Sequence, residues 1–145
     1  MHNLKIYLAG KMSGLTMEQM NTWRNELEFR LSVYAEMSKC KIKILNPVKY
    51  YNFEVVKHQT EREVKDFDLR LVNSSDIVVV NLDGLQTSDG TKYELHDARK
   101  ANIPVLAFGD CELYEKLHPW TQDNITRVDK TMDDIAMYIK DFYMT

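Results

Sequence analysis

The sequence predicts an α/β fold, in which a doubly wound, flavodoxin-like or Rossmann-like sheet of five parallel strands carries helices on both faces. Short apolar segments alternate along the chain with longer segments whose apolar residues recur every three or four positions, as strands and helices do. The most apolar segment, Ile77 to Val80, is β-branched throughout, which is typical of a central parallel strand. The 145 residues contain no internal repeat or low-complexity linker, so residues 1–145 are predicted to form one domain. We expect the strand order 2-1-3-4-5 with right-handed crossovers.

Composition and charge argue against several classes of protein. With 44% hydrophobic residues, 28% charged residues and a net charge of -3, the chain has no basic footprint for nucleic acid. No apolar run approaches the roughly 20 residues that cross a bilayer, so no membrane association is expected. Cys40 and Cys111 do not form a CxxC pair and no signal peptide is recognisable, which favours a reduced, cytoplasmic setting. No zinc-binding spacing joins the histidines and no GxSxG elbow is present, so neither a metal, a cofactor nor a serine triad is expected. The histidines are His2, His58, His96 and His118.

The first third of the chain predicts two strands around a helix. Leu4 to Ala9 is a short apolar strand that ends in the Gly10–Gly14 turn. From about Thr16 to Ser38, apolar residues at helical spacing predict an amphipathic helix. Its predicted sheet-facing residues are Met20, Trp23, Leu27, Leu31 and Tyr34, and the charged residues placed mostly elsewhere are Glu18, Arg24, Glu28 and Arg30. Ile42 to Leu45 is a second strand, closed by Asn46-Pro47 because proline removes a ladder donor.

The middle of the chain is less regular. Tyr50, Tyr51 and Phe53 lie in a segment without periodicity up to about Gln59, which is either a lid over a site or a surface loop with aromatic anchors. Thr60 to Glu63 has the form of a capping box, and a helix is predicted from 61 to about 73.

The second half continues the alternation. Its predicted elements are a strand at Ile77 to Val80, a helix at about Thr91 to Ala101, a strand at Ile103 to Phe108, a helical turn at Cys111 to Leu117 broken by His118-Pro119-Trp120, a strand at Ile125 to Val128, and a helix at Thr131 to Tyr143. The last helix carries Ile135, Tyr138, Ile139 and Phe142 on one stripe. Met17, Met20, Tyr138 and Phe142 are interpreted as core residues rather than cofactor contacts.

The loop between the first strand and the first helix has the position of an anion site. Free backbone N–H groups and the helix dipole favour an anion there, to which Lys11 and Ser13 add a charge and a hydroxyl. The loop is neither GxGxxG nor a Walker sequence, so an ordinary turn rich in small residues explains it as well.

Glu94 is the acid to explain, because it follows the central strand at the edge where α/β proteins bind ligands. Thr91 to Glu94 satisfies the capping-box pattern, in which the glutamate only bonds back to the cap. Asp83, directly after the third strand, and Asp68, on the preceding helix, belong to the same edge. Clustered carboxylates can activate water, hold a metal or attack a sugar. The local pattern favours capping for Glu94 and a plain turn residue for Asp76.

Several short segments together, covering roughly residues 4 to 109, resemble the nucleoside 2-deoxyribosyltransferase superfamily. They are Ile6-Tyr7-Leu8-Ala9-Gly10, Asn46-Pro47, Asp68-Leu69, Asp76 to Val80, and Ser88-Asp89-Gly90-Thr91-Lys92-Tyr93-Glu94. The resemblance implies that Glu94 is a nucleophile that attacks the anomeric carbon of a nucleoside and displaces the base, as in a retaining glycosidase. It further implies that Asp68 engages the sugar hydroxyls or assists the leaving base, and that Tyr7 orients the nucleophile.

The same resemblance implies a substrate class. Transferases of free nucleosides tend to have aspartate at the position of Ser88, whereas relatives that act on 5′-monophosphates tend to have serine, since a carboxylate repels phosphate. Gly10, Lys11, Ser13 and Gly14 then form the phosphate end of the pocket, although many relatives have proline in place of Lys11. The remaining predicted substrate-binding residues are Gly90 and Asp83.

Three functions follow as hypotheses. The first is cleavage of the N-glycosidic bond of a (deoxy)nucleoside 5′-monophosphate, with water as acceptor and without a cofactor. The second is transfer of deoxyribose between free bases, and the third is a non-catalytic module that binds a nucleotide. The resemblance also implies a homodimer or larger homo-oligomer, in which a neighbouring subunit often completes the site.

Overall fold

A computed structural model describes residues 3–51 and 58–145 and contains a sheet of five parallel strands in the order β2-β1-β3-β4-β5. The strands are β1 (Asn3–Ala9), β2 (Lys41–Leu45), β3 (Ile77–Asn81), β4 (Val105–Phe108) and β5 (Arg127–Asp129). The predicted doubly wound α/β fold and its strand order are therefore confirmed.

Six α-helices are described between and after these strands. They are α1 (Met17–Met37), α2 (Glu61–Asn73), α3 (Asp89–Lys100), α4 (Cys111–Glu115), α5 (Pro119–Gln122) and α6 (Met132–Tyr143), with single 3-10 turns at Pro47–Tyr50 and Leu85–Thr87. Thr16 and Gln19 form a reciprocal capping box at the start of α1, which fixes where that helix begins. Thr60 caps α2, although the Glu63 carboxylate accepts from the N–H of Gln59 rather than from that of the cap.

Two apolar layers cover the sheet. On one face, Leu4, Ile6 and Leu8 of β1 pack with residues of α1 and α6. On the other face, Tyr7 and Ala9 pack in the layer that contains residues of α2 and α3. Because side chains alternate along a strand, this register directs the Tyr7 side chain toward the side of the sheet that carries α3.

Some predictions about single residues are wrong. Arg24, placed away from the sheet, is fully buried, because it shares the buried stripe of α1 with Met20 and Leu27. Met17 and Phe142, interpreted as core, are 45% and 65% exposed.

Three other sequence predictions have different outcomes. His118-Pro119-Trp120 begins α5 rather than only ending a turn, since His118 accepts from the N–H of Trp120. The Asp76 carboxylate accepts from the N–H of Lys5, 2.8 Å away, which agrees with a structural role. The question of a lid or a loop around Phe53 concerns residues 52–57, which lie outside the described residues, as does His2.

Candidate active site

A cleft of about 570 Å³ lies at the carboxyl ends of β1 and β3, between the loops that follow them and helix α2. The chain leaves β1 toward one edge of the sheet and β3 toward the other, so this is the topological switch point where α/β proteins bind ligands. The residues that line the cleft are Gly10, Met12, Ser13, Gly14, Leu15, Met20, Tyr51, Glu61, Val64, Asp68, Thr87, Ser88, Asp89, Gly90, Thr91 and Glu94.

Glu94 lines this cleft from the second turn of α3 and is only 8% exposed. The capping interpretation is wrong, because α3 begins earlier than predicted. Ser88 is its N-cap residue, and Thr91 lies inside the helix with its hydroxyl 2.6 Å from that of Ser88. The Glu94 carboxylate instead accepts a hydrogen bond from the Tyr7 hydroxyl of β1. It is thus free of the backbone of its own helix.

Burial dominates the electrostatics of Glu94. It is the largest cause of a pKa that lies at about 8 rather than at the usual 4.5, and the nearby Asp68 also contributes to the increase. The hydrogen bond from Tyr7 and the positive charge of Arg24 act in the opposite direction. Burial also raises the pKa of Tyr7 well above its usual value, so that residue remains a hydrogen-bond donor. The site therefore holds a poorly solvated carboxyl whose proton is lost as the pH rises through about 8.

Asp68 enters the cleft from α2 and accepts a hydrogen bond from the Tyr51 hydroxyl. Burial raises the pKa of Asp68, while the bond from Tyr51 and the charges of His58 and Arg24 lower it. The aromatic rings of Tyr51, His58 and Phe67 pack against one another beside this carboxyl. Asp68 is therefore a second carboxyl that lines the same cleft as Glu94, in a wall that is partly apolar.

The loop after β1 forms another wall of the cleft. Gly10, Ser13 and Gly14 line it, and Gly14 has φ +78°, a conformation that glycine adopts without strain. Among the described residues, the backbone N–H groups of Met12, Ser13 and Gly14 have no acceptor. These donors agree with the expectation of an anion-binding loop.

The N-terminus of α3 faces the same space, with Ser88, Asp89 and Gly90 in the lining. Ser88 makes no side-chain capping bond, so the first N–H groups of the helix are left for water or a ligand. Asp89 brings a carboxylate to this end as well.

Two residues predicted for the site lie beside it. Lys11 and Asp83 line a neighbouring groove of about 290 Å³. The Lys11 ammonium nevertheless donates to the Thr87 hydroxyl, 3.0 Å away, and its stem crosses Gly84, where an added Cβ would lie 2.7 Å from Cδ. The Asp83 N–H bonds to the side chain of Asn81.

Arg24 and Tyr51 are the neighbours of the two acids that the sequence did not assign to the site. Arg24 was detectable, because it stands four residues after Met20 and three before Leu27, within the apolar stripe of α1. The sequence marks Tyr51 only as an aromatic residue in the irregular segment, because its partner Asp68 lies 17 residues further along the chain.

Neither a metal site nor a membrane-spanning helix is found within residues 3–51 and 58–145. No group of three His, Cys, Asp or Glu side chains there could hold a metal ion. No helix in that part of the chain is long and apolar enough to cross a bilayer.

Comparison with known proteins places this cleft in a recognised fold. Residues 4–107 match the sequence model of the family described as "Domain of unknown function (DUF4406)". No curated protein matches the chain in sequence.

Three solved structures are similar to this chain. A conserved protein from Enterococcus faecalis V583 is 19% identical, with a TM-score of 0.73 over 95% of this chain and 98% of that one. A 2-deoxyribosyltransferase from Bacillus psychrosaccharolyticus is 16% identical, with a TM-score of 0.56 over 91% and 90%. The CMP N-glycosidase BcmB from Clostridium botulinum is 10% identical, with a TM-score of 0.50 over 95% and 99%. At these identities the similarity shows the fold alone, and that fold is the one which the sequence resemblance implied.

Proposed function

Since this chain belongs to the DUF4406 family, whose description names no activity, we propose a function from its own cleft: cleavage of the N-glycosidic bond of a nucleoside 5′-monophosphate. The observation that carries the proposal is the placement of Glu94. Its carboxyl is buried at the cleft, is bonded to a tyrosine of the central sheet, and serves no cap in its own helix. A carboxylate held in this way suits attack on an anomeric carbon.

The proposed reaction has two steps. In the first, a Glu94 oxygen bonds to the anomeric carbon while the carbon–nitrogen bond breaks, and the electron pair leaves with the base. Asp68, whose pKa is raised by burial, begins the reaction protonated and donates that proton to the leaving base, while its other oxygen can accept from the sugar hydroxyls. In the second, water attacks the anomeric carbon, its proton passes to Asp68, and the sugar 5-phosphate leaves with Glu94 regenerated.

Tyr7 holds the nucleophile in place. Its hydroxyl donates to one carboxylate oxygen of Glu94, which leaves the other oxygen for the sugar. Because Tyr7 lies on the buried central part of β1, this bond fixes the rotamer of Glu94 against the sheet.

The phosphate end is assigned to the Gly10–Gly14 loop and the N-terminus of α3. Both present backbone N–H groups to the cleft, and the Ser88 hydroxyl adds a neutral donor. Lys11 lies within hydrogen-bond distance of Thr87, which lines the cleft, and adds a positive charge nearby. We assign Gly90 to the same end and Asp83, in the neighbouring groove, to the outer margin of the substrate site.

One observation favours a second candidate, the transfer of deoxyribose between free bases. Asp89 lines the cleft next to Ser88, and its carboxylate repels a phosphate but accepts from a free 5′-hydroxyl.

A screen of nucleotides and nucleosides separates these functions. The protein is incubated with each ribo- and deoxynucleoside and its 5′-monophosphate, and free base is measured by chromatography with and without a second base. Base released from a monophosphate supports the first function, and a new nucleoside formed with the second base supports transfer. Tight nucleotide binding with no product from any compound would leave only a non-catalytic module.

The nucleophile is tested directly by trapping. The protein is mixed with a substrate that it turns over, the reaction is quenched rapidly, and the intact mass of the protein is measured. This mass should be increased by one sugar or sugar phosphate in wild type but not in Glu94→Gln. An adduct that persists in that variant would place the nucleophile elsewhere.

We also propose that the protein is a homodimer or larger homo-oligomer in the cytoplasm. Several large apolar side chains are exposed on the described surface, among them Phe29 at 69% and Trp120 at 82%. Analytical ultracentrifugation tests the assembly, and a single monomeric species at micromolar concentration would reject it.

A further inference from the structure

Arg24 is a charged side chain that the proposed chemistry does not use, and it is fully buried between α1 and β1. Its Nη1 donates to the carbonyl of Met20 at 2.7 Å, its Nη2 to that of Gly10 at 3.1 Å, and its Nε to that of Leu8 at 3.4 Å. Among the described residues, none of these donors is bonded to a carboxylate. A buried cation whose hydrogen bonds all go to neutral carbonyls is costly. A residue with this cost beside the cleft is a candidate for a functional role.

One consequence concerns the shape of the loop after β1. The Gly10 carbonyl is turned toward Arg24, and the N–H of Lys11 in the same trans peptide must therefore point the opposite way. Trp23 closes the arrangement, since the guanidinium lies 4.5 Å from its ring centre and a Cβ on Gly10 would lie 2.6 Å from its Cζ2. The pair Trp23 and Arg24 thus determines how the Gly10–Gly14 loop enters the cleft.

A second consequence concerns charge. The guanidinium acts through space on three titratable groups: Tyr7 from β1, Asp68 from α2 and Glu94 from α3. Its positive charge lowers the pKa of each of them, and they in turn raise that of Arg24, which burial brings down to about 10. Arg24 therefore stays protonated at neutral pH and favours the carboxylate form of both acids.

We propose that Arg24 is a positioning residue of this cleft: its bond to the Gly10 carbonyl sets the start of the Gly10–Gly14 loop, its bonds to the Leu8 and Met20 carbonyls hold the guanidinium between β1 and α1, and the fixed buried cation acts through space on Glu94 and Asp68. The proposal rests on the proposed function where it concerns catalysis, but its structural and electrostatic parts do not. An arginine suits both tasks, because its planar fork binds several acceptors at once and remains charged when buried.

The charge is tested without any activity. Urea unfolding is measured over a range of pH for wild type and each Arg24 variant, once with Glu94 and once with Glu94→Gln. The pH dependence of the difference in the free energy of unfolding between the two reports the pKa of Glu94 in that protein. Arg24→Met should raise that pKa and so lower the fraction of carboxylate at a given acidic pH. Arg24→Lys should leave it nearly unchanged, and Arg30→Met, a control at an outer position of α1 bonded to Glu26 and Asp133, should not move it. An unchanged pKa of Glu94 in Arg24→Met would overturn the electrostatic role.

The loop is tested through binding and turnover. Arg24→Lys keeps a charge but cannot reach three carbonyls in one plane, so the affinity for ribose 5-phosphate, measured by calorimetry, should fall about tenfold or more. In turnover, KM for the nucleotide should rise in this variant while the acidic limb of kcat/KM stays in place. Wild-type affinity and KM in Arg24→Lys would overturn the loop role, and this variant also decides the question if Arg24→Met does not fold. Failure of wild type to release any base would reject the proposed function alone, because the titration of Glu94 still tests Arg24.

Discussion

Glu94→Gln should abolish base release and, at the same time, stabilise the folded protein more strongly as the pH rises. Between about pH 4.5 and pH 8 the folded state keeps a proton on Glu94 that the unfolded state has lost, because burial raises the folded pKa to about 8. The free energy of unfolding of wild type therefore falls as the pH rises through this range. A pKa shift of this size, at about 1.4 kcal/mol per pKa unit, lowers the free energy of unfolding of wild type by roughly 3–5 kcal/mol above pH 8. Glutamine keeps the shape and the acceptor for Tyr7 without this cost.

The assay is urea unfolding of wild type, Glu94→Gln and the control Glu115→Gln at intervals from about pH 5 to about pH 9. The advantage of Glu94→Gln over wild type should be small at the acidic end, grow through neutrality and level off above about pH 8. Glu115 is exposed at the end of α4, so its substitution should stay within about 0.5 kcal/mol of wild type. A stability difference for Glu94→Gln that does not change with pH would refute the reasoning about burial.

The remaining predictions concern three other positions. Tyr7→Phe removes a hydrogen bond that lowers the pKa of Glu94, so the acidic limb of kcat/KM should move up by about one pH unit, and an unmoved limb would contradict the role of the bond. Ser88→Asp should lower kcat/KM for a monophosphate at least tenfold relative to its nucleoside, because a carboxylate there repels phosphate, and a preserved preference would remove Ser88 from the phosphate end. Gly10→Ala places a Cβ 2.6 Å from Trp23, and should cost about 1–3 kcal/mol in urea unfolding and weaken nucleotide binding, whereas wild-type values in both would show that the loop has room.

Local patterns sufficed for most of the fold. The β-branched run of β3 and the three- and four-residue spacing of α1 each specify an element by burial alone, and their alternation leaves few topologies for a parallel sheet. The short elements near the end were less predictable. The sequence His118-Pro119 was interpreted as a helix breaker, yet proline in the first turn and a side-chain cap are also what begins a helix, as they do for α5.

The site shows why sequence patterns alone mislead. Thr91 to Glu94 has the spacing of a capping box, but Ser88 is an equally suitable cap three residues earlier, and the helix begins there. The hydrogen-bond partner of Glu94 is instead Tyr7, a residue 87 positions away that only the parallel sheet brings near. Before the fold was known, only the family resemblance indicated this pair, because it implied a role for Tyr7 together with Glu94.

The position of Arg24 connects the cost of burying Glu94 with the reaction proposed for it. The guanidinium donates to three carbonyls rather than to the Glu94 carboxylate, and it moderates the raised pKa of Glu94 through space. Within residues 3–51 and 58–145 the Glu94 carboxylate has no ion-pair partner, so in the proposed reaction the first positive charge close to it is the one that develops on the anomeric carbon. An interaction that becomes strong only in the transition state lowers the barrier, whereas one already satisfied in the empty site does not. A lysine or arginine free to bond Glu94 directly would stabilise the resting protein and weaken this effect, which is why a cation fixed by backbone carbonyls is better suited to the cleft.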